Sequence, residues 1–475
     1  MRYSRYFFVS SLVTVFLFAC ATPAAYYQNL NNLVAGGNYS QAASLAEKSK
    51  EDAYGEKNAL LYYLDRGMLL HLAGNYEESN LALEKAKKLA EEYFTKSVTA
   101  EAVTFLVSDN TRPYYGEDFE RTLTHIFSAL NYIFLGQESE ALVEARQVDH
   151  FLKTLRTNYG YKAVYKEDAF AGYLMGMIYE NQNQINEAFI SYRQALDAYE
   201  NYQKNYTVSP PNQLVGDALR TAKLLGFREE IEEIRNKWKT AVQQLADNNS
   251  SGGELVIVNY NGFSPVKIDN FFEIGFGQGW AYVANTEAKG DDQKKVEQAG
   301  ALARSIAADE QVRMAFPKYV PVNYQIKKVE AREIKAGEGS FAAGSLAEDI
   351  GAIAEKSLED RINRVRAKTI ARAVLRFVLA RKVTQSVEKS NNELTTWLVK
   401  KAFAAASAVI EQADKRSWQS LPDKIFIIRL PMSEGKHSVQ LNFLDQQGSI
   451  IKTQVLDNIR IKAGKKTFVT VRTAM

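Results

Sequence analysis

The feature that most constrains this chain is a helical pattern, punctuated by glycine and alanine, that returns several times between Tyr26 and about Leu245. Its clearest occurrence runs Gly176, Tyr179, Asn183, Ala188, Tyr192 and Ala195, with Pro210 and Pro211 beyond the second helix. The same phase returns as Gly67, Leu70, Gly74-Asn75-Tyr76, Ser79, Leu83 and Ala86, and more loosely as Ala129, Gly136 and Ala141. Ala35-Gly36-Gly37-Asn38-Tyr39 followed by Ala42 reads as the end of a first unit, and Asp217 to Lys239, turning at Gly226, as a fifth. A small residue at the first site lets paired helices approach, and the aromatics fill the space between them. One pair cannot bury its apolar face alone, so pairs must stack, and about three are needed for stability.

These spacings are those of the tetratricopeptide consensus, so residues 20-246 are expected to form an α-solenoid of tetratricopeptide-like helix pairs. Such stacks curve, and the first helix of each pair lines the concave face. By phase that face holds Leu64, Met68 and His71, then Ile126, Leu130 and Ile133, then Phe170, Tyr173, Met177 and Glu180. It is apolar for a solvated groove. Either it receives a partner peptide or it packs on the rest of the chain, and His71, Tyr173, Met177 and Glu180 are its candidate partner-binding residues.

The cluster Asp247-Asn248-Asn249-Ser250-Ser251-Gly252-Gly253 breaks the helical pattern. Beyond it the hydrophobic period becomes that of strands. Leu255 to Tyr260 is β-rich and ends at the turn signal Asn261-Gly262. Lys424 to Leu430, His437 to Leu444, Ile450 to Leu456 and Thr467 to Arg472 read as four more strands, with Val439, Leu441 and Phe443 alternating with Gln440 and Asn442. An antiparallel β-sandwich over 254-475 follows, interrupted by a long helical insertion at about 342-412. That makes the whole an α+β multidomain chain. In the insertion Ile362, Val365, Thr369, Ala373 and Phe377 form one stripe. Arg364, Lys368, Arg372 and Arg376 form another, a candidate basic face for anionic lipid, wall carboxylates or an acidic partner, or else a solvated face partly neutralised by Glu355, Glu359 and Asp360.

The amino terminus has the form of a signal peptide: Arg2 and Arg5, then an apolar run from Phe7 to Phe18. That run falls short of the roughly 20 residues a membrane span needs. Leu17-Phe18-Ala19-Cys20 resembles a bacterial lipobox, and Cys20 is the single cysteine of 475 residues, which also excludes an internal disulfide. Residues 1-19 are therefore expected to be removed and Cys20 to be acylated, the acyl chains (palmitate among them) holding the protein at a bilayer. Loss of two arginines lowers the formal charge of +3 by two, and a chain so close to neutral does not suggest nucleic-acid binding. The remaining roughly 455 residues suit two or three domains.

Catalytic signals are sparse. His71, His125, His150 and His437 lack metal-ligand spacing, and neither a metal nor a cofactor is expected. Gly275-Phe276-Gly277-Gln278-Gly279 lacks the lysine of a phosphate loop, and Gly337-Glu338-Gly339-Ser340 lacks the spacing of a nucleophile elbow and reads as a linker. Carboxylates are many, yet no pair stands out for glycosidase chemistry. An enzyme is not expected.

Several runs are similar to those of a family of uncharacterised tetratricopeptide lipoproteins of Gram-negative outer membranes: Leu64-Asp65-Arg66-Gly67, Tyr115-Gly116-Glu117-Asp118-Phe119-Glu120-Arg121, Ala129-Leu130-Asn131-Tyr132, Glu144-Ala145-Arg146, Glu348-Asp349-Ile350, Leu358-Glu359-Asp360-Arg361 and Trp418 to Pro431. The resemblance implies an outer-membrane, periplasm-facing location and an envelope or wall-synthesis role. It makes Glu117, Glu120 and Arg146 further candidates for partner binding. Asp65-Arg66 reads as an internal ion pair, and Glu117 and Glu120 as acids favouring the positive end of a helix that starts near Phe119. The expected function is a lipid-anchored scaffold or adaptor for an envelope protein. The alternatives are a wall hydrolase using paired carboxylates and a structural subunit of an export or adhesion complex.

Overall fold

The computed structural model describes residues 24–100, 112–159, 164–245, 252–275, 311–337, 339–363, 365–366, 369–370 and 413–475. Helices come in antiparallel pairs: α1 (Ala24–Ala35) with α2 (Tyr39–Lys48), α3 (Ala59–Leu72) with α4 (Tyr76–Ala100), and α5 (Asp118–Phe134) with α6 (Glu138–Tyr159). They continue with α7 (Ala169–Asn181) and α8 (Ile185–Tyr206), then α9 (Asn212–Leu225) and α10 (Arg228–Lys237), before the short α11 (Lys239–Gln243).

The five intra-pair turns close in the same way. The N–H of Asn38, Asn75, Gln137, Gln184 and Phe227 each returns to the carbonyl five residues earlier, at 2.8 to 3.0 Å. That bond satisfies a carbonyl left over at a helix end, and it requires a left-handed residue just before the donor. Glycine supplies the conformation at Gly74 (φ 80°) and Gly136 (φ 72°), and Asn183 supplies it at φ 58° in the fourth pair. Within pairs the small residues allow close approach. A methyl group at Gly176 would fall inside the Tyr192 ring, one at Gly67 would meet the end of Leu83, and Gly172 lies against Ala195. Among the described residues no helix is long and apolar enough to cross a membrane.

The strands are β1 (Gly253–Asn261), β2 (Val266–Gly275), β3 (Gln311–Val320), β4 (Lys328–Ile334), β5 (Phe341–Ala343), β6 (Ser345–Asp349), β7 (Lys424–Met432), β8 (Gly435–Leu444), β9 (Ile450–Ile461) and β10 (Lys466–Thr473). They form one sheet ordered β10-β1-β7-β6, a second ordered β5-β4-β8-β9, and a separate β2-β3 hairpin.

Two expectations are corrected here. The first sheet is mixed: β1 runs parallel to β10, in register from Glu254↔Lys466 to Asn261↔Thr473, and antiparallel to β7. The expected helical insertion from about 342 begins instead with strand, because β5 and β6 occupy 341–349, and helix (α12) starts only at residue 350, all described residues from there to 370 being helical. Strand direction is set by long-range pairing rather than by local pattern, and 345–349 carries no strand period of its own. The Gly337 linker region connects β4 to β5, with Gly337 at φ 90°.

A layered core explains the sequence of β1, which is buried almost without interruption. Val256, Val258 and Tyr260 face the helical stack together with Ile425, Ile427, Phe468 and Trp418. Leu255 and Ile257 point the other way, with Phe426, Ile428 and Leu430, against Val439, Leu441 and Phe443 of the second sheet. The first sheet is thus the middle layer, apolar on both faces, as strands covered on two sides must be. The second sheet is an outer layer, and its alternating pattern in β8 reflects one buried and one wet face.

Candidate functional site

The concave face of the helical stack is filled by the first sheet, and the polar residues singled out in the sequence meet there, where they join the two halves. His71, in the last turn of α3, is 1% exposed. Its Nδ1 lies 2.6 Å from Asn131 Oδ1 and its Nε2 lies 3.0 Å from the Tyr260 hydroxyl on β1. Burial pulls its pKa down to about 4, the Asn131 contact opposing only in part, so the ring is neutral near pH 7. Six residues earlier Asp65 accepts hydrogen bonds from the Tyr27 and Tyr54 hydroxyls, both at 2.8 Å, and from Ser420 Oγ at 2.7 Å. Arg66 does not pair with it. Successive helix residues point to different sides, and Arg66 reaches Glu47 at 3.0 Å instead.

The second station is the start of α5, at Asp118. Glu117 and Glu120 form a reciprocal capping box around the first turn, satisfying amide groups that a helix start leaves unpaired. Glu117 also receives Lys267 of β2 on one oxygen and Arg361 of α12 on the other. Burial alone would raise its pKa, but Arg361 and Lys267 hold it below the usual range. Glu120 accepts the Trp418 N–H at 2.6 Å, the Tyr114 hydroxyl at 2.5 Å and the Glu117 N–H at 2.9 Å. Burial and the adjacent Glu117 charge push Glu120 upward. Every carboxylate oxygen of this pair therefore has a donor within the chain. A glycosidase pair instead faces a cleft that admits a sugar and a water, so these two acids act as a joint.

At the third station Arg429, in the helix-facing row of β7, meets Asp217 of α9 and Glu254 of β1 and donates to the Tyr173 hydroxyl at 2.7 Å. Burial would raise Asp217, yet Arg429, with Lys466 and Arg220, holds its carboxyl far below the ordinary range. Glu180 accepts from Tyr192 at 2.7 Å and pairs with Arg220 at 2.7 Å and Lys466 at 3.0 Å. Burial and Asp217 favour its neutral form, but Lys466 and Arg220 outweigh them. Asn181, ending α7, pairs with the edge of β10 as a strand would: its amide donates to Lys466 O at 2.9 Å and accepts the Lys466 N–H at 2.7 Å. At the opposite edge the Tyr199 hydroxyl donates to Ala347 O at 2.9 Å.

His71, Tyr173, Glu180, Glu117 and Glu120 therefore bond to this chain's own β half, and Met177 is buried in the same core; of the two readings of this face, packing on the rest of the chain holds, and as candidate partner-binding residues they are not on a free surface. Apolar surface of that extent leaves water wherever a complementary surface is available. Arg146 stands apart: exposed on α6, it donates to the Tyr179 hydroxyl at 2.8 Å and stacks on that ring. Its neighbour Glu144 is held by Lys87 at 2.6 Å and His125 at 2.7 Å. Cys20 and the basic stripe Arg364, Lys368, Arg372 and Arg376 lie outside the described residues, as do Gly277 and Gly279 of the glycine-rich run. Among the described residues no group of three or more histidine, cysteine, aspartate or glutamate side chains is arranged to hold a metal.

Reading residue types left out Lys267, Asp217, Ser420 and Arg429. For Arg429 a signal existed: an arginine centred in Ile425-Phe426-Ile427-Ile428-Arg429-Leu430 demands a buried partner. No local feature named Asp217 as that partner.

The chain matches no family profile and no curated protein. Among solved structures, MamA of AMB-1 aligns at 14% identity with a TM-score of 0.27, covering 47% of this chain and 93% of that one. Nearly identical TPR-like repeats of a Podosopora anserina kinesin light chain align at 16% identity with a TM-score of 0.29, covering 47% of this chain and 96% of that one.

Proposed function

We propose that this protein is a rigid, lipid-anchored adaptor of the Gram-negative envelope, held at the periplasmic face of the outer membrane through Cys20 and docking a protein partner on its outer layer. The observation that carries the reading is the use made of the charged groups. Asp65, Glu117, Glu120, Glu180 and Asp217 are all committed to fastening the helical stack to the β half of the chain. Buried pairs of this kind contribute little net stability and are suited to fixing one geometry, and fixed relative geometry is what an adaptor supplies.

With the concave face filled, the outer sheet is the surface we assign to a partner. Across the second sheet Phe341, Arg332, Gln440 and Val455 are register neighbours, and Phe341 and Val455 are exposed. Among the described residues no strand pairs with the outer edge of β9. Such an edge accepts an added strand from a partner. Cys20 precedes α1 by four residues, a tether of at most about 14 Å, which would keep this body against the bilayer.

The test combines fatty-acid labelling with site-specific photocrosslinking in intact cells. Wild type is expected to take up an alkyne palmitate and float with outer membranes, and Cys20→Ser to do neither. A photoreactive residue at Val455 or Phe341 is expected to give one discrete adduct with an envelope protein, and one buried at Met177 only internal crosslinks. An unlabelled wild type, or adducts absent from both outer positions in cells where the protein is folded, would remove the reading.

A further inference from the structure

Arg472 is the helix-facing residue near the end of β10, opposite Tyr260 in register and 6% exposed. Arg429, equally deep, has two carboxylates, whereas Nε, Nη1 and Nη2 of Arg472 have no hydrogen-bond partner among the described residues. The guanidinium lies 5.0 Å over the Phe263 ring. The titratable groups that face it are Tyr39, Tyr260, Tyr324 and Asp423. Asp423 is already engaged, accepting the Tyr324 hydroxyl at 2.5 Å and pairing with Lys424 at 3.4 Å. Burial draws the Arg472 pKa down to about 10, which leaves it charged at neutral pH.

Beside Arg472 is a cavity of about 20 Å³ between the α1–α2 turn and the β half, lined by Gly37, Tyr39, Lys452, Thr473 and Met475. No aspartate or glutamate lines it. Two cations, a phenol and a hydroxyl surround a space large enough for roughly one small atom or group, while the carboxylate of the last residue, Met475, is engaged by the Gln325 N–H at 2.7 Å. A buried guanidinium without a hydrogen-bonded counter-charge is costly, and a negative ligand with several lone pairs matches its five donors.

We propose that this cavity is an anion-binding site, with Arg472 as its anchor and Lys452 at its side. Its size admits a halide, or the carboxylate or phosphate end of a larger molecule. All share one negatively charged group small enough to reach the guanidinium.

The test follows thermal unfolding of the whole chain, in detergent, against sodium bromide, sodium acetate and sodium phosphate, together with anomalous diffraction from bromide-soaked crystals. Wild type is expected to gain on the order of 2 °C or more as an anion saturates the site, and Arg472→Met to show no gain beyond the general salt effect. Lys452→Ala, which leaves the buried core intact, is expected to need roughly tenfold more anion for the same gain. A larger response to bromide, with a scattering peak beside Arg472, identifies a free small ion. Responses to acetate or phosphate that exceed bromide identify the charged end of a larger ligand. Identical responses in wild type and Lys452→Ala, with no bromide peak at Arg472, would overturn the proposal even if Arg472→Met failed to fold.

Discussion

At the scale of single residues, the joint places titratable groups in states they would not hold in water. His71 gives a pH dependence whose sign can be worked out. Its pKa is about 4 in the folded protein and about 6.5 in an unfolded chain. Between those values the unfolded chain binds a proton that the folded one excludes, so stability falls as pH drops from about 6.5 towards 4, by about 3 kcal/mol in all. Asp168, raised to about 6 by burial, and Glu348, raised further by burial and by Asp168, act in the opposite sense, losing stability as pH rises. The His71 contribution must therefore be isolated as a difference. Urea unfolding of wild type and His71→Gln from pH 7.5 to 4 is expected to show the wild type losing its advantage across that window. Parallel curves would mean that His71 is charged, or solvated, in the native protein.

At the scale of elements, helix pairing depends on the absence of a side chain at a few positions. Gly176 leaves the face of α7 open for the Tyr192 ring of α8, and the ring is fully buried with its hydroxyl tied to Glu180. At Gly67 the obstacle is the flexible end of Leu83. Gly176→Ala is therefore expected to destabilise by about 1 to 3 kcal/mol, as overpacking does, and Gly67→Ala by less. Denaturant midpoints of the two variants check this, and an equal or larger loss at Gly67 would show that the Tyr192 ring relaxes freely. The same elements show how much of the solenoid could be read without coordinates. The five turns follow from Gly36-Gly37, Gly74, Gly136, Asn183 and Gly226, because the left-handed conformation is a local demand. The strand at 345–349 could not be read in this way. Ser345-Leu346-Ala347-Glu348-Asp349 has no strand pattern of its own and becomes β6 by pairing with β7 across a register shift.

At the scale of the whole molecule, the helical stack and the first sheet share one continuous core, in which Trp418 and Tyr260 contact Phe127 edge-on. The halves are therefore expected to unfold together. A chain of residues 20-245 would expose the concave faces of α3, α5 and α7 and leave Asp65 without Ser420, Glu117 without Lys267 and Arg361, Glu120 without Trp418 and Asp217 without Arg429. It is expected to aggregate or to melt well below the intact protein, which calorimetry would show as a single transition. Two separate transitions, or a soluble and stable 20-245 fragment, would mean that the solenoid stands alone and that its concave face can be uncovered.

The sequence by itself determined what short stretches can impose: the period of the helix pairs, the positions of their turns, the change to strands after Asn249, and the alternation of β8. It also marked several of the polar residues of the joint on the helical side, since acids and a histidine on apolar helix faces must find partners when buried. Only the tertiary structure decided which partners those are, which face is covered, and that β10 returns parallel to β1. Asp65 meets Ser420 across 355 residues of chain, Glu120 meets Trp418 across 298 and His71 meets Tyr260 across 189. No local periodicity encodes contacts at such separations. They are selected when the apolar faces of helices and sheet close on each other, and each buried charge then takes the counter-group that the closing brings within reach.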